Sequence, residues 1–154
     1  AKEFDFTEND GKEIKGRLIE TLKQSGGFGL AAPQCGLDSR VFVMGAEGNY
    51  DILFNPEIIY SSEKNVHMME GCLSFPFLVL SITRPQMFEV KYQDENGNSK
   101  HMRLDGISAR IALHEIDHLD GITFDTLAKP MALKSGYKKR DKYFKKMLKN
   151  VRIS

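Results

Sequence analysis

The sequence predicts an α+β fold in a single domain, and three observations support this prediction. The chain has 154 residues, which suits one ordinary globular domain and is too short for two. Apolar residues make up 41% and charged residues 28%, which excludes wholesale disorder. Short β-type runs lie between three segments of helical periodicity, without internal repeats or linkers. We therefore expect mixed strands and hairpins around a central helix, with helices near both ends.

Helical spacing of apolar residues predicts the three helices. In the first, at residues 9–25, Ile14, Leu18 and Leu22 recur every four residues, and a Gly-Gly pair follows. The second helix is predicted at residues 108–119, with Gly121 as its stop signal. The third spans residues 132–150, where apolar positions again recur near helical spacing.

Short apolar runs predict the strands. These runs lie at residues 41–44, 52–54, 58–60, 78–82, 88–92 and 100–104. Asn55-Pro56 is expected to separate the second run from the third, because proline cannot donate to a ladder. The turn sequence at residues 94–98 predicts a hairpin between the last two runs.

Composition excludes several classes of function. The net charge of +1 gives no support to a general polyanion-binding role or to specific DNA binding. The longest apolar runs fall far short of the ~20 residues of a membrane span, and the first residues do not resemble a secretory signal. The two cysteines, Cys35 and Cys72, form neither a CxxC pair nor a disulfide framework. We therefore expect reduced thiols and a cytoplasmic location.

The segment HEIDH at residues 114–118 is the sharpest chemical signal. On a helix, residues four apart share a face, so His114 and His118 can bind one metal ion. Glu115 can then stand beside the open coordination position and move a proton. The alternative is a solvated, charged turn whose histidines are incidental.

A catalytic metal site needs a third protein ligand, and the downstream sequence supplies it poorly. In the extended metalloprotease motif HExxHxxGxxH, the third ligand is a further histidine, but Phe124 occupies that position here. No glutamate follows Glu115, which leaves Asp120, Asp125 and Asp141 as weaker candidates. A metalloprotease is therefore an alternative that lacks a clear ligand.

Cys72 is the better candidate for the third ligand. It lies in the segment EGCLSFP, in which Gly71 lets the backbone approach closely. A thiolate with two imidazoles leaves a fourth position for water. Cys35 is the competing sulfur, and each cysteine could instead be a small buried apolar residue.

Three segments together resemble one family, the peptide deformylases. GFGLAAPQ at residues 27–34 resembles the family motif GxGLAAxQ, EGCLS at 70–74 is similar to its EGCLS motif, and HEIDHL at 114–119 resembles HExDHL. The resemblance covers roughly residues 14–125, and the motifs stand in the family's order. It implies an enzyme that removes the formyl group from the initiator formylmethionine of new polypeptides and releases formate.

The resemblance also implies roles for individual residues. The implied metal ligands are Cys72, His114 and His118. Glu115 corresponds to the catalytic acid and base, which takes a proton from metal-bound water. The side-chain amide of Gln34 and the backbone N–H of Leu73 correspond to the donors that hold the formyl oxygen.

Further residues correspond to substrate contacts and to support of the site. The implied walls of the methionine pocket are Phe28, Ile107 and Ile111, for which plain core packing is the alternative. Gly29 and Gly71 correspond to backbone contacts with the substrate chain. Glu70 and Arg84 correspond to a buried ion pair behind the site, the alternative for Arg84 being an exposed charge at a strand end.

The family resemblance implies one divalent metal ion per chain. Fe(II) is the implied native ion, with Zn(II) or Ni(II) as other occupants, and the thiolate–imidazole donor set suits these ions. The implied partners are N-formylmethionyl peptides and nascent chains.

The sequence departs from the family pattern in two main places. About nine residues precede the first predicted helix, where the family has a longer stretch containing Pro-Asp, and this would suit a compact variant, for example a virus-encoded one acting in host cytoplasm. Arg110 stands where an apolar pocket residue is common.

Two further interpretations concern other classes of function. The same ligands could form a closed structural zinc site in a binding module, in which Cys35 is the fourth ligand and Glu115 has no catalytic role.

The third helix carries nine basic residues and one acid between residues 134 and 152, which is typical of a surface for an anionic partner such as the ribosome. The alternative for that helix is a solvated face that packs its apolar side on the domain.

Overall fold

The computed structural model describes residues 1–72 and 74–153. Three α-helices lie in these residues: α1 (Gly11–Ser25), α2 (Gly106–Leu119) and α3 (Pro130–Ile153). The strands are β1 (Gly29–Ala31), β2 (Val41–Ala46), β3 (Asn49–Ser61), β4 (Asn65–Cys72), β5 (Phe75–Pro85), β6 (Met87–Gln93) and β7 (Ser99–Asp105). This confirms the α+β prediction. None of the described helices is both long and apolar enough to cross a membrane.

The described residues form two compact parts. The first comprises Ala1–Val66 and Arg84–Ile122, and the second comprises His67–Thr83 and the chain from Thr123 onwards. The first part therefore contains α1, α2 and most of the strands. The second contains α3 with most of β4 and β5.

An antiparallel sheet in the order β1-β2-β3-β6-β7 organises the first part. Strand β2 is buried on both faces, because successive side chains of a strand point to opposite sides. Val41 and Val43 pack with Leu18 of α1 on one face. Phe42 and Met44 pack on the other face with the apolar side of α2. Helix α2 is thus held firmly against the sheet.

The two helices of the first part begin differently, because only α1 has a side-chain cap. The side chain of Asp10 caps α1 by accepting a hydrogen bond from the N–H of Lys12, and Gly26 ends the helix with φ of 73°. Helix α2 begins at Gly106, two residues before the predicted start, directly after β7.

The predicted break at Asn55-Pro56 is wrong, because β3 continues through it. Asn55 adopts a left-handed φ of 51°, and the pairing register with β6 shifts between Phe54 and Glu57. The Asn55 side chain joins the bulge to the N-terminal segment, since its Oδ1 accepts from the N–H of Phe4 at 2.7 Å and its Nδ2 donates to the Phe4 carbonyl at 3.1 Å. The turn residues therefore form a bulge within one long strand.

Close contact between α3 and β5 defines the second part. Leu78, Leu80 and Ile82 of β5 form a buried cluster with Phe124, and side chains of α3 pack against it. A Cβ atom on Gly136 of α3 would lie 2.5 Å from Leu80 Cδ2 and 3.2 Å from the Val79 carbonyl oxygen, so a larger residue there would require the Leu80 side chain to move. β4 and β5 form a separate two-stranded sheet.

Candidate metal centre and active site

Helix α2 brings the HEIDH residues to one place. The ring centroids of His114 and His118 are 5.0 Å apart, as expected for residues one helical turn apart. Glu115, between them in sequence, is buried, with 2% of its surface exposed. The buried residues Leu113, Ile116 and Leu119 pack against the sheet and set the rotation of the helix.

Cys72, at the end of β4, completes a group of potential metal ligands. One ligand atom from each of Cys72, His114 and His118 lies within 4.8 Å of the other two. One thiolate and two imidazoles are a donor set for Zn(II) or Fe(II), and three protein ligands leave a coordination position open. The chemistry of these side chains therefore fits the metal implied by the family motifs.

Cys35 is not a member of this ligand group, although it is within the described chain. It is exposed at the end of a 3₁₀ helix, Ala32–Cys35. Partial loss of solvent around the sulfur raises the pKa of its thiol, which keeps the thiol protonated and makes it a weaker ligand. This placement removes the proposed fourth ligand of a closed structural zinc site.

Strand β1 passes close to the catalytic candidate on α2. A Cβ atom on Gly29 would lie 2.7 Å from Glu115 Oε2 and 3.0 Å from Ile111 Cγ2. A side chain at this position would displace the carboxylate. Glycine has no side chain, so it leaves the Glu115 carboxylate in place.

Gln34 lies in the 3₁₀ helix that follows β1. Its Oε1 accepts a hydrogen bond from the N–H of Ala31 at 2.9 Å. This bond fixes the orientation of the side-chain amide and directs its NH₂ group away from Ala31. Leu73, the other predicted donor to the formyl oxygen, lies outside the described residues.

The predicted supporting residues Glu70 and Arg84 are both buried. Arg84 Nη1 donates to Asp117 Oδ2 at 2.7 Å, so Arg84 is not an exposed charge at a strand end. Asp117 belongs to the HEIDH segment, and sequence reasoning did not find its partner. The buried guanidinium therefore orients the same turn of α2 that carries His114 and His118.

Arg110 makes a hydrogen bond to the backbone of β4. Its Nη2 donates to the carbonyl of Val66 in β4 at 2.6 Å, and the residue is buried. A charged group at this position is thus compensated by a hydrogen bond, as a buried charge requires.

The predicted pocket residues differ in exposure. Phe28 and Ile107 are 62% and 65% exposed, which excludes plain core packing for both. Ile111 is partly buried against the core on the α2 side of the sheet. The carbonyl of Phe28 accepts from the N–H of Gly45 at 2.9 Å, which fixes the backbone before β1. Gly71 is exposed beside Cys72.

An α+β fold whose central helix carries HExxH, with a cysteine as a third potential ligand, defines a class of metal-dependent hydrolases. The family model of polypeptide deformylases matches residues 1–132. A peptide deformylase of Picosynechococcus is 36% identical over 146 residues, which cover 91% of this chain and 78% of that protein. The chain belongs to the peptide deformylase family.

Solved structures agree with this assignment. The crystal structure of a peptide deformylase from Synechococcus elongatus, in complex with actinonin, matches with a TM-score of 0.85 and 32% identity over 92% of this chain and 78% of that one. The enzyme from Thermotoga maritima matches with a TM-score of 0.76 and 37% identity over 84% of this chain and 86% of that one. The predicted family and the predicted enzyme class, N-terminal deformylation, are confirmed.

Proposed function

We propose that this enzyme hydrolyses the N-formyl group of formylmethionine at the start of newly made polypeptides and releases formate. The observation that carries the proposal is the grouping of the Cys72, His114 and His118 ligand atoms within 4.8 Å of one another. The helix of the two histidines also carries Glu115. In this function the whole chain acts as one catalytic domain, and the enzyme acts in the cytoplasm.

The proposed ligands are Cys72, His114 and His118, and the proposed ion is Fe(II), with Zn(II) or Ni(II) as other occupants. Bound there, a divalent ion would lower the pKa of a water molecule to about 7 and polarise the formyl carbonyl. Such help is needed because a formamide is a poor electrophile and neutral water a poor nucleophile.

Glu115 acts as the proton carrier in this proposal. Its carboxylate accepts a proton from the attacking water and returns one to the leaving amine. Burial of Glu115 and the close approach of Gly29 hold the carboxylate in one position. Because the carboxylate is already in position, less entropy is lost in orienting the proton acceptor when the reaction occurs.

The developing charge on the formyl oxygen is met by hydrogen-bond donors. The Gln34 amide supplies one, and the hydrogen bond that its Oε1 accepts from Ala31 supports this role. The backbone N–H of Leu73 supplies the second, on the basis of the EGCLS motif. Removing one such donor typically costs ~3 kcal/mol of transition-state stabilisation.

The remaining predicted residues bind the substrate or support the site. The exposed side chains of Phe28 and Ile107, with Ile111, are proposed to surround the methionine side chain. Gly29 and Gly71 are proposed to contact the substrate backbone, because neither has a side chain in the way. Glu70 and Arg84 are proposed to support the site, and the bond from Arg84 to Asp117 is one means.

A peptide assay tests the proposal. The metal-loaded enzyme is given a formylmethionyl peptide of about 20 residues, and formate release is measured beside internal cleavage. We expect formate release alone, with a Glu115→Gln variant that keeps its fold and metal but loses at least about 100-fold in turnover. Glu63→Gln, an exposed change of the same chemistry, is the matched control and should retain full activity.

Each alternative function predicts a different result. Internal cleavage would indicate a metalloprotease. Neither activity, together with a metal bound by four protein ligands, would indicate a structural zinc site. Loss of metal from Glu115→Gln would contradict the assignment of Glu115 as proton carrier.

We further propose that α3 docks this enzyme on the ribosome, where formylated chains emerge. The supporting observation is the exposure of its lysines, which are Lys134, Lys138, Lys139, Lys142, Lys145, Lys146 and Lys149. Arg140 is not part of this charged face, because its guanidinium stacks on Tyr137 and Phe144. Exposed lysines bind phosphates without sequence preference.

A further inference from the structure

The last turn of α2 carries His118 and is closed by its own backbone. The N–H of Gly121 donates to the His118 carbonyl at 3.2 Å, and the N–H of Ile122 donates to the Asp117 carbonyl at 2.8 Å. Gly121 has a φ of 73°, in the left-handed region that commonly ends a helix. These hydrogen bonds fix the shape of the turn. They lie within the turn, so they do not fix its position against the sheet.

Arg40 attaches this turn to the sheet. It directly precedes β2, and its Nη1 donates to the Leu119 carbonyl at 3.2 Å and to Asp120 Oδ1 at 2.9 Å. Leu119 follows His118 in the sequence, and Asp120 is the C-cap residue of α2. A cation at the C-terminal end of a helix also interacts favourably with the helix dipole. The guanidinium therefore bonds the backbone one residue beyond a proposed metal ligand.

The backbone of Arg40 is itself held on both sides. Its N–H donates to the Lys2 carbonyl at 2.8 Å, and its carbonyl accepts from the N–H of Asn55 in β3 at 2.8 Å. The side chain is 24% exposed, so water and salt screen its contacts less than those of a surface arginine. The two bonds to α2 thus extend from a fixed point of the sheet.

We propose that Arg40 is a positioning residue for the metal centre, because it holds the last turn of α2 where His118 can bind the ion. The inference rests on the proposed function, which makes His118 a ligand. Leu119 is fully buried, but apolar packing is non-directional, whereas the two hydrogen bonds fix a direction. Groups that orient a metal ligand from outside typically contribute about 10- to 100-fold to metal affinity. Arg40 acts through the backbone, so we expect the lower end of this range.

Zn(II) affinity tests the proposal. The metal is removed from the holoenzyme, and Zn(II) is added back in competition with a chelator of known affinity. Arg40→Met removes the donor and should lower Zn(II) affinity by about tenfold. Loss of a nearby positive charge would by itself favour a bound cation, so a fall in affinity has to come from the lost hydrogen bonds. Arg40→Lys should lose no more than about threefold, because a single nitrogen makes both bonds and an ammonium group can replace it.

The structure indicates that Arg40→Met folds. The Leu119 carbonyl keeps a hydrogen bond from the backbone nitrogen of Ala1 at 2.7 Å, and Asp120 is 45% exposed, so water can solvate its carboxylate. Circular dichroism of the metal-free protein checks the fold. Arg40→Gln is the second variant, with the same expected loss, because its side chain is too short to reach α2 and has a polar end that water solvates.

A matched control separates positioning from a general loss of stability. Lys15→Met breaks an ion pair of similar exposure, in which Nζ lies 3.0 Å from Glu95 Oε1 and the side chains are 33% and 25% exposed. This pair joins α1 to the turn after β6, so Zn(II) affinity should stay at the wild-type value. The visible spectrum of the Co(II)-loaded enzyme reports the arrangement of the ligands. It should change in Arg40→Met and stay unchanged in Lys15→Met.

The possible outcomes separate the inference from the proposed function. Wild-type Zn(II) affinity in Arg40→Met, or equal losses in Arg40→Met and Lys15→Met, overturns the inference and leaves the proposed function intact. A wild-type enzyme that binds no Zn(II), or an affinity that His118→Ala does not change, overturns the ligand assignment and the inference with it.

Discussion

At the scale of single residues, the chemistry depends on which side chains are buried and on what they touch. Glu115 is buried beside His114 and His118, and Arg84 is buried against Asp117 in the same helical turn. The two cysteines differ in the same respect, because only Cys72 lies in the ligand group.

The cysteines provide a residue-scale prediction. Cys72→Ser should lose metal affinity by more than about 100-fold. Removing a side chain that only orients a metal ligand typically lowers metal affinity by about 10- to 100-fold, and removing a ligand itself should lower it further. Cys35→Ser should bind metal like the wild-type enzyme, because Cys35 lies outside the ligand group. The metal content per chain, measured after dialysis against a weak chelator, checks both. Equal metal content in the two variants would contradict the assignment of Cys72.

At the scale of elements, the site depends on the close approach of β1 to α2. This distance is set by the cluster in which Ala31 of β1 packs with Ala109, Ala112 and Ile116 of α2. Small residues at the contact let the backbone of the strand come near the helix. Gly29 then lies against the carboxylate of Glu115.

Gly29→Ala tests this approach. The new methyl group would lie 2.7 Å from Glu115 Oε2, so the carboxylate has to move. We expect kcat to fall at least about tenfold, because a misplacement of this size is costly in catalysis, and the free energy of unfolding to fall by ~1–3 kcal/mol.

Gly16→Ala is the control for the same chemical change. No atom lies within 4 Å of a Cβ at Gly16, in the middle of α1. It should raise the free energy of unfolding by ~0.5–1 kcal/mol and leave kcat unchanged. Thermal unfolding and formate release measure the two quantities. Full activity in Gly29→Ala would show that the carboxylate need not be held in this position.

At the scale of the whole molecule, charge is strongly uneven. Residues 134–152 carry nine basic groups and one acidic group, a net charge of +8, although the whole chain has a net charge of only +1. The rest of the chain is therefore acidic, with a net charge of −7. Such an uneven charge distribution orients a protein towards an anionic surface, and dissolved salt weakens this attraction.

Ribosome co-sedimentation tests the proposed role of this asymmetry. Changing Lys138, Lys139, Lys145 and Lys146 to Gln should abolish binding at low salt, and binding of the unchanged enzyme should fall steeply as salt rises. The control changes four exposed lysines elsewhere to Gln, and these are Lys12, Lys64, Lys91 and Lys100. Both variants lose the same charge, so equal binding by them would contradict docking through α3.

Most of the elements could be predicted from local patterns, and the errors have identifiable causes. The helices are long and periodic, so α1 begins one or two residues from the predicted start and ends at the predicted residue. β1 and β4 lack a clear alternation of apolar residues, and no local pattern predicted them. Asn55-Pro56 has the composition of a turn, but hydrogen bonds to Phe4, distant in sequence, keep it within a strand.

The sequence by itself determined the family, the HEIDH helix and the candidate ligands, because these depend on residue types at short, fixed spacings. Tertiary structure alone decided what Arg84 and Arg110 contact, and that Gly29 lies against Glu115. These contacts join residues that are far apart in the chain. Their geometry follows from packing the whole core, which no local pattern encodes.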